Sequence, residues 1–152
     1  MAASAVATTH LTTISKETAS TVFTAFAEVY SISGPSVTRT MTDVTHLTSP
    51  NNAKEFLPNL ADWGEVTVDI AYNYGNAVIE MILGAASGTG EFADVDFADG
   101  VNQWRIDFNG VTTARFDFVG YVSAFTPSAS TDEQLKASLT IKLTGHPTTV
   151  PT

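Results

Sequence analysis

Three histidines, His10, His46 and His146, are the whole imidazole stock of the chain, and there is no cysteine. No two of them stand at HExxH or similar ligand spacing, so neither a zinc site nor thiolate chemistry is spelled out. His46 falls in a threonine-rich segment and reads as a partly exposed strand residue rather than a general base. Ser87-Gly88 does not complete a GxSxG elbow. The glycines at Gly84, Gly88 and Gly90 follow a helical pattern, whereas a phosphate cradle needs them ahead of a helix N-terminus. Asp94, Asp96, Asp99 and Gly100 suggest a calcium loop. Counted from Asp94, however, Asp99 takes the place of the required glycine and Arg105 that of the bidentate glutamate. That segment reads as an acidic edge that discourages strand-to-strand aggregation. Glu65, Asp69, Asp107 and Asp117 are the acids that could share a cleft for glycoside hydrolysis. The aromatic residues that would line such a cleft fall on faces turned to the core. No enzyme, cofactor or metal is expected.

What must position these residues is one domain, since 152 residues suit one and crowd two. Seven Lys and Arg against sixteen Asp and Glu give −9. A chain with so few cations cannot grip phosphate, although a duplex can pass near it. No run of about 20 apolar residues exists to cross a membrane. The opening Met1–Ala7 lacks the basic region of a signal peptide, so synthesis in the cytoplasm is expected.

Residues 1–19, rich in Ala, Ser and Thr, are expected to be a flexible arm, and 148–152 an unstructured tail. The domain would span 20–147. Within it, 21–32 reads as one strand and the threonine-rich 37–47 as an edge or the wall of a wet cavity. Residues 48–62 read as a long connection, where Phe56, Leu57 and Leu60 imply a fold-back or a partner surface. Residues 65–72 alternate cleanly, with Val66, Val68, Ile70 and Tyr72 inward. Residues 76–86 predict a helix capped by Asn76, and 91–99 alternates unevenly. Residues 101–108 and 113–125 form a hairpin around Asn109-Gly110. Only an odd-length loop sets Trp104 against Phe116 or Phe118 rather than Arg115. Residues 135–143 turn Leu135, Ala137, Leu139, Ile141 and Leu143 inward, and Gly145-His146-Pro147 stops them. The expected fold is mainly β, an antiparallel sandwich or barrel-like domain with one flanking α-helix.

The stretch from Glu55 to Val68, EFLPNLADWGEVTV, resembles the loop and strand of tail tube proteins from long, non-contractile-tailed bacteriophages. Asn59 stands where that family's phrase has glycine. Asn102 to Gly110, then Phe118-Val119-Gly120-Tyr121, resembles its Asn-Gly hairpin and aromatic-Gly-aromatic strand. The resemblance covers about residues 20–147, ending at Thr144-Gly145-His146-Pro147. It implies a structural protein of the virion tail whose subunits form hexameric rings. The rings stack into a tube through which genomic DNA passes without specific binding. Part of the sheet would join its neighbours in an inner barrel. The implied partners are other copies of the chain and the tape-measure, tail-tip and tail-terminator proteins.

On that reading Glu55, Phe56, Leu57, Pro58 and Asp62 belong to an inter-ring or inter-subunit loop. Glu65 and Asp69, on the polar face of their strand, are expected to face the lumen. The acidic balance suits such a wall, because like charge keeps a duplex off it. The alternative is a monomeric β-sandwich binding module of adhesion or lectin-like type.

Overall fold

Alternation of apolar and polar residues decides most of the architecture. A computed structural model of the chain describes residues 12–19, 21–25, 28–72, 103–109, 113–131 and 133–151. They form nine strands: β1 (Thr12–Ala19), β2 (Val22–Ala25), β3 (Val29–Ser33), β4 (Thr38–Asp43), β5 (Phe56–Asp62), β6 (Glu65–Ala71), β7 (Gln103–Asn109), β8 (Thr113–Ser130) and β9 (Glu133–Pro151). Seven of them make an antiparallel sheet in the order β2-β1-β7-β8-β9-β6-β3, and β4 pairs with β5 alone. The described residues contain no α-helix. The helix expected over 76–86 and the segment 91–99 lie outside the described residues.

The large sheet is rolled. β2 and β3 occupy its opposite edges, yet Ala25 and Val29 are only four residues apart. Four residues reach about 14 Å at most, whereas six strand spacings in a flat sheet span about 29 Å. The edges must therefore come round towards each other, as tilted strands do in a barrel. β3 then faces β1 and β7 across a cavity of about 280 Å³ lined by Thr12, Val29, Ile32 and Phe108.

The core fills the roll. Ile14, Val66, Val68, Trp104, Ile106, Leu139 and Ile141 are completely buried. The alternation expected for β6 holds, and for β9 it holds from Ala137 to Leu143. Leu135, expected inward, is 39% exposed near the strand's start. Trp104 lies opposite Phe118 and Ile106 opposite Phe116, and the Asn109–Thr113 pair encloses three residues. The odd-length loop is thus the one found.

Two of the three irregularities in the β8–β9 ladder shape the barrel wall. Between Val122 and Ala124 the register slips by a residue, and Ser123 Oγ donates to the Thr140 carbonyl at 3.2 Å. Val122 and Phe125 can then both pack on the core, although odd spacing would separate them in a regular strand. Further on, Val119 pairs with Thr144 and Asp117 with Thr148. Residues 145–147 therefore bulge out opposite Phe118, and Gly145 takes a positive φ of 76°.

Several expectations are corrected here. Residues 12–19 are not part of a flexible arm. They form β1 between β2 and β7, and Ile14 stacks in the core opposite Ile106. Lys16 continues the same inward row and places its ammonium 5.7 Å from the Trp104 ring centroid, a cation–π arrangement. The segment 21–32 is two strands at opposite edges rather than one. Gly145-His146-Pro147 is a bulge and not a stop. The C-terminal residues to Pro151 pair with β8 despite their prolines, because a strand edge that bonds nothing tolerates a missing N–H. Thr12, Phe108, Ala114 and Pro151 thus stand in one row across four strands.

Candidate assembly surfaces

The segment expected as a long connection over 48–62 is half strand. β5 covers Phe56–Asp62 and pairs with β4 outside the barrel. Apolar Phe56 and Leu57 fall on opposite faces of this strand, so no period of two marks it in the sequence. Met41 opposes Pro58, and Asp43 opposes Phe56, so Met41, Phe56 and Pro58 share one face. Thr40, Thr42, Leu57 and Asn59 take the other. That face has its own polar tie. Asn59 Nδ2 donates to Thr40 Oγ1 at 3.0 Å and to Thr42 Oγ1 at 3.1 Å. Every residue of β4 is exposed, and Met41, Phe56 and Leu57 are each more than half exposed, with Leu60 at 94%.

The tip of this hairpin, residues 44–55, is closed by hydrogen bonds. Val44 N donates to the Glu55 carbonyl at 2.9 Å, and Glu55 N donates to Thr45 Oγ1 at 3.0 Å. Thr45 also donates, through its amide and hydroxyl, to Asp43 Oδ1. These two bonds hold the Asp43 carboxyl below the usual carboxylate range, the hydroxyl more than the amide. Asn51 and Asn52 turn the chain with φ of 57° and 54°, the left-handed region that asparagine tolerates.

The neck of the hairpin is tight. A Cβ on Gly34 would run into the Glu65 carbonyl oxygen, and one on Gly64 would sit 2.7 Å from Ser36 Oγ. Asp62 Oδ1 accepts from Gly64 N at 2.9 Å and from Lys142 Nζ at 3.0 Å. The Gly64 amide and then Lys142 hold the Asp62 carboxyl below its ordinary value. Trp63 meets His146 of the β9 bulge edge to face, with centroids 4.9 Å apart. Of the residues expected in an interface loop, Phe56, Leu57 and Pro58 therefore sit on the exposed hairpin. Glu55 belongs to its tip and Asp62 to its neck.

Glu65 and Asp69 lie on the outward face of β6, as expected from alternation. Asp69 shares a row with Ser31, Ser138 and Thr126, and Thr67 a row with Ser33, Thr140 and Ala124. Ser31 Oγ donates to Asp69 Oδ2 at 2.6 Å. The face is rich in hydroxyls but not uniformly acidic. Lys142 stands opposite Glu65, and Lys136 lies 5.5 Å from the Tyr30 ring centroid. The strands β3-β6-β9-β8 carry this face. Among the described residues, no strand pairs with the outer side of β3 or with the β7 side of β8 beyond Val119.

The other two candidate acids, Asp107 and Asp117, share a face with Arg105 and Arg115. Asp117 is clamped by Arg105 through bonds of 2.8 and 3.1 Å and lies 3.6 Å from Arg115 Nε. Arg105 stacks over Phe23 at 3.9 Å. Among the described residues no three His, Asp or Glu side chains gather as metal ligands. His46 stands at the hairpin tip and His146 at its neck.

A rolled antiparallel sheet with a detached hairpin is a tail-tube-like fold. It is shared with a chain of a gene transfer agent tail of C6 symmetry at 13% identity, 91% and 94% coverage of this chain and that one, and a TM-score of 0.62. A chain of the anti-feeding prophage tube-terminating cap shares it at 13% identity, 100% and 95% coverage and a TM-score of 0.67. So does a chain of the sheath–tube complex of an extracellular contractile injection system, PVC, at 10% identity, 93% and 88% coverage and a TM-score of 0.62. No protein-family model and no curated protein matches the chain by sequence.

Proposed function

We propose that the chain is the subunit of a hollow tube, built as hexameric rings that stack in the tail of a phage-like particle. The projecting hairpin is the observation that carries this reading. It presents Met41, Phe56, Leu57 and Leu60 to solvent from a chain that shares its fold over 91–100% of its length with chains of tails and tubes. A chain that serves alone gains nothing from such a surface. Phe56, Leu57 and Pro58 contact another copy, while Glu55 and Asp62 shape the hairpin that carries them.

The open edges of β3 and β8 support lateral pairing between copies. Six subunits giving four strands each would close a sheet roughly 160 Å around, at ~4.8 Å spacing and ~45° tilt. Its lumen is then some tens of ångströms wide. Glu65, Asp69 and the hydroxyl face line that lumen. Within this class, the motifs of the sequence favour a non-contractile tail that passes DNA, with tape-measure, tail-tip and terminator proteins as neighbours. The role is structural and not enzymatic.

Negative-stain microscopy and light scattering at high concentration test the reading. Rings or tubes are expected from the native chain. A double change of Phe56→Ser and Leu57→Ser leaves the barrel folded and abolishes them. A native chain that remains a monomer, or a double variant that polymerises normally, overturns it.

A further inference from the structure

The chain has seven lysines and arginines, and five of them are engaged within it. Lys16 lies against the Trp104 ring, Arg105 and Arg115 against Asp117, Lys136 against the Tyr30 ring and Lys142 against Asp62. The other two, Arg39 and Lys54, are both exposed on the β4–β5 hairpin. Among the described residues neither has an ion pair or a hydrogen-bond partner. The acids of the hairpin are instead tied into its own turns. Asp43 accepts from Thr45. Glu55 Oε2 accepts from Ser49 Oγ at 2.7 Å, and that hydroxyl oxygen accepts from His46 N at 3.0 Å. Residues 37–60 therefore carry no net charge, with Arg39 and Lys54 against Asp43 and Glu55. Five cations and fourteen acids elsewhere leave the whole −9 on the remainder of the chain.

The hairpin leaves the barrel at one end of β6, where Leu143 N donates to the Gly64 carbonyl at 3.2 Å. At the other end Ala71 N donates to the Glu28 carbonyl and Tyr72 N to the Leu135 carbonyl, both at 3.0 Å. The seven residues of β6 put about 20 Å between these ends. The far end carries the exposed Glu28, whose Oε2 accepts from Gln134 Nε2 at 3.4 Å, and Glu133, the first residue of β9. Tyr30 and Leu135 are exposed beside them. We propose that the hairpin of one copy docks on this far end of the next, with Arg39 and Lys54 among its carboxylates and the apolar hairpin residues against Tyr30 and Leu135. The two patches differ and lie at opposite ends of the barrel, so the contact repeats in one direction without closing. An inverted copy would instead bring free cations against free cations, which disfavours it. Resting on the tube reading above, the contact adds the surface that receives the hairpin and gives the stack its polarity.

Charge reversal at each end, separately and together, tests the contact. Sedimentation reads the concentration at which assemblies form, and thermal unfolding of the subunit reads folding. Arg39→Glu with Lys54→Glu is expected to raise that concentration about tenfold or more, because like charges then meet. Glu28→Lys with Glu133→Lys is expected to do the same. The chain with all four changes again sets opposite charges against each other and should assemble within about threefold of the native concentration. Arg39→Gln with Lys54→Gln, which removes charge without reversing it, should raise the concentration about two- to fivefold and serves if a reversed variant unfolds. Either reversed pair assembling as the native chain does, or a fourfold variant no better than the pairs, overturns the contact and leaves the tube reading standing. A native chain that assembles at no concentration overturns both.

Discussion

The indole N–H of Trp104 donates to the carbonyl oxygen of Gly120 at 3.0 Å, inside the barrel and across the β7–β8 ladder. Gly120 also lets β9 come close. A Cβ there would lie 2.8 Å from Ile141 Cγ2 and 2.9 Å from the Lys142 carbonyl oxygen. One position thus anchors the largest core side chain and admits the neighbouring strand. Gly120→Ala is expected to cost about 1–3 kcal/mol by overpacking. Trp104→Phe leaves the carbonyl without its donor, at a similar cost of about 1–3 kcal/mol before any cavity. Denaturant unfolding measures both. An unchanged midpoint for Gly120→Ala would mean that β9 does not press on this site.

The Asp62–Lys142 contact sets the aim of the hairpin. Asp62→Asn keeps a weaker bond to Gly64 and loses the ion pair, so the hairpin should become more mobile while the barrel stays folded. Exchange at β4 and β5 amides rises while β6 and β9 amides are unchanged. Acid should imitate the variant. The carboxyl is held below its ordinary value in the folded chain. Its contribution is therefore full above about pH 3.9, the unfolded value, and is lost as pH falls through the folded value.

Residues 12–19 are expected to behave as core. Ile14→Ala removes a fully buried side chain and should cost about 2–5 kcal/mol. Amides of residues 13–16 should exchange as slowly as those of β7. Rapid exchange there in the isolated subunit would return the segment to an arm.

The proposed lumen face can be reversed in charge. Glu65→Lys with Asp69→Lys joins Lys136 and Lys142 on one face. Assembled tubes of this variant should hold duplex DNA at about 50 mM salt and release it near 200 mM, the behaviour of clustered phosphate contacts. Native tubes should hold none at either salt. Equal, weak retention by both would place the face away from the lumen.

Where alternation was regular, as in β6, β7 and most of β9, the sequence was enough to name the inward residues and the odd-length loop. β1 escaped because its inward row has only one large apolar residue, Ile14, and then gives a core place to Lys16. Lysine is a polar residue to any pattern, and only the Trp104 ring beside it makes the position readable. The division of 21–32 is a property of the closed sheet, since its two halves join opposite edges. Pro58 and Asn59 carry turn chemistry, which makes β5 look like a loop in sequence. The cross-strand bonds from Asn59 to Thr40 and Thr42 show that asparagine working as a strand tie. Gly145-His146-Pro147 suits a strand end and a bulge equally well. Nothing local distinguishes them until Thr148 is seen opposite Asp117. The hairpin's apolar face was partly legible, whereas its tip network depends on turns that bring His46 back to Glu55.

The row formed by Thr12, Phe108, Ala114 and Pro151 brings the beginning and end of the sheet within three strand spacings, about 14 Å. A linker of about five residues spans that distance. The polypeptide could then be opened elsewhere, at the β8–β9 turn around Thr131, with every ladder bond still made by the same partners. The barrel is in this sense a cycle of strands whose starting point is arbitrary, and circular permutation at that turn should preserve it. Labels attached at Thr12 and Pro151 would stand side by side on one rim of the barrel, no more than about 14 Å apart.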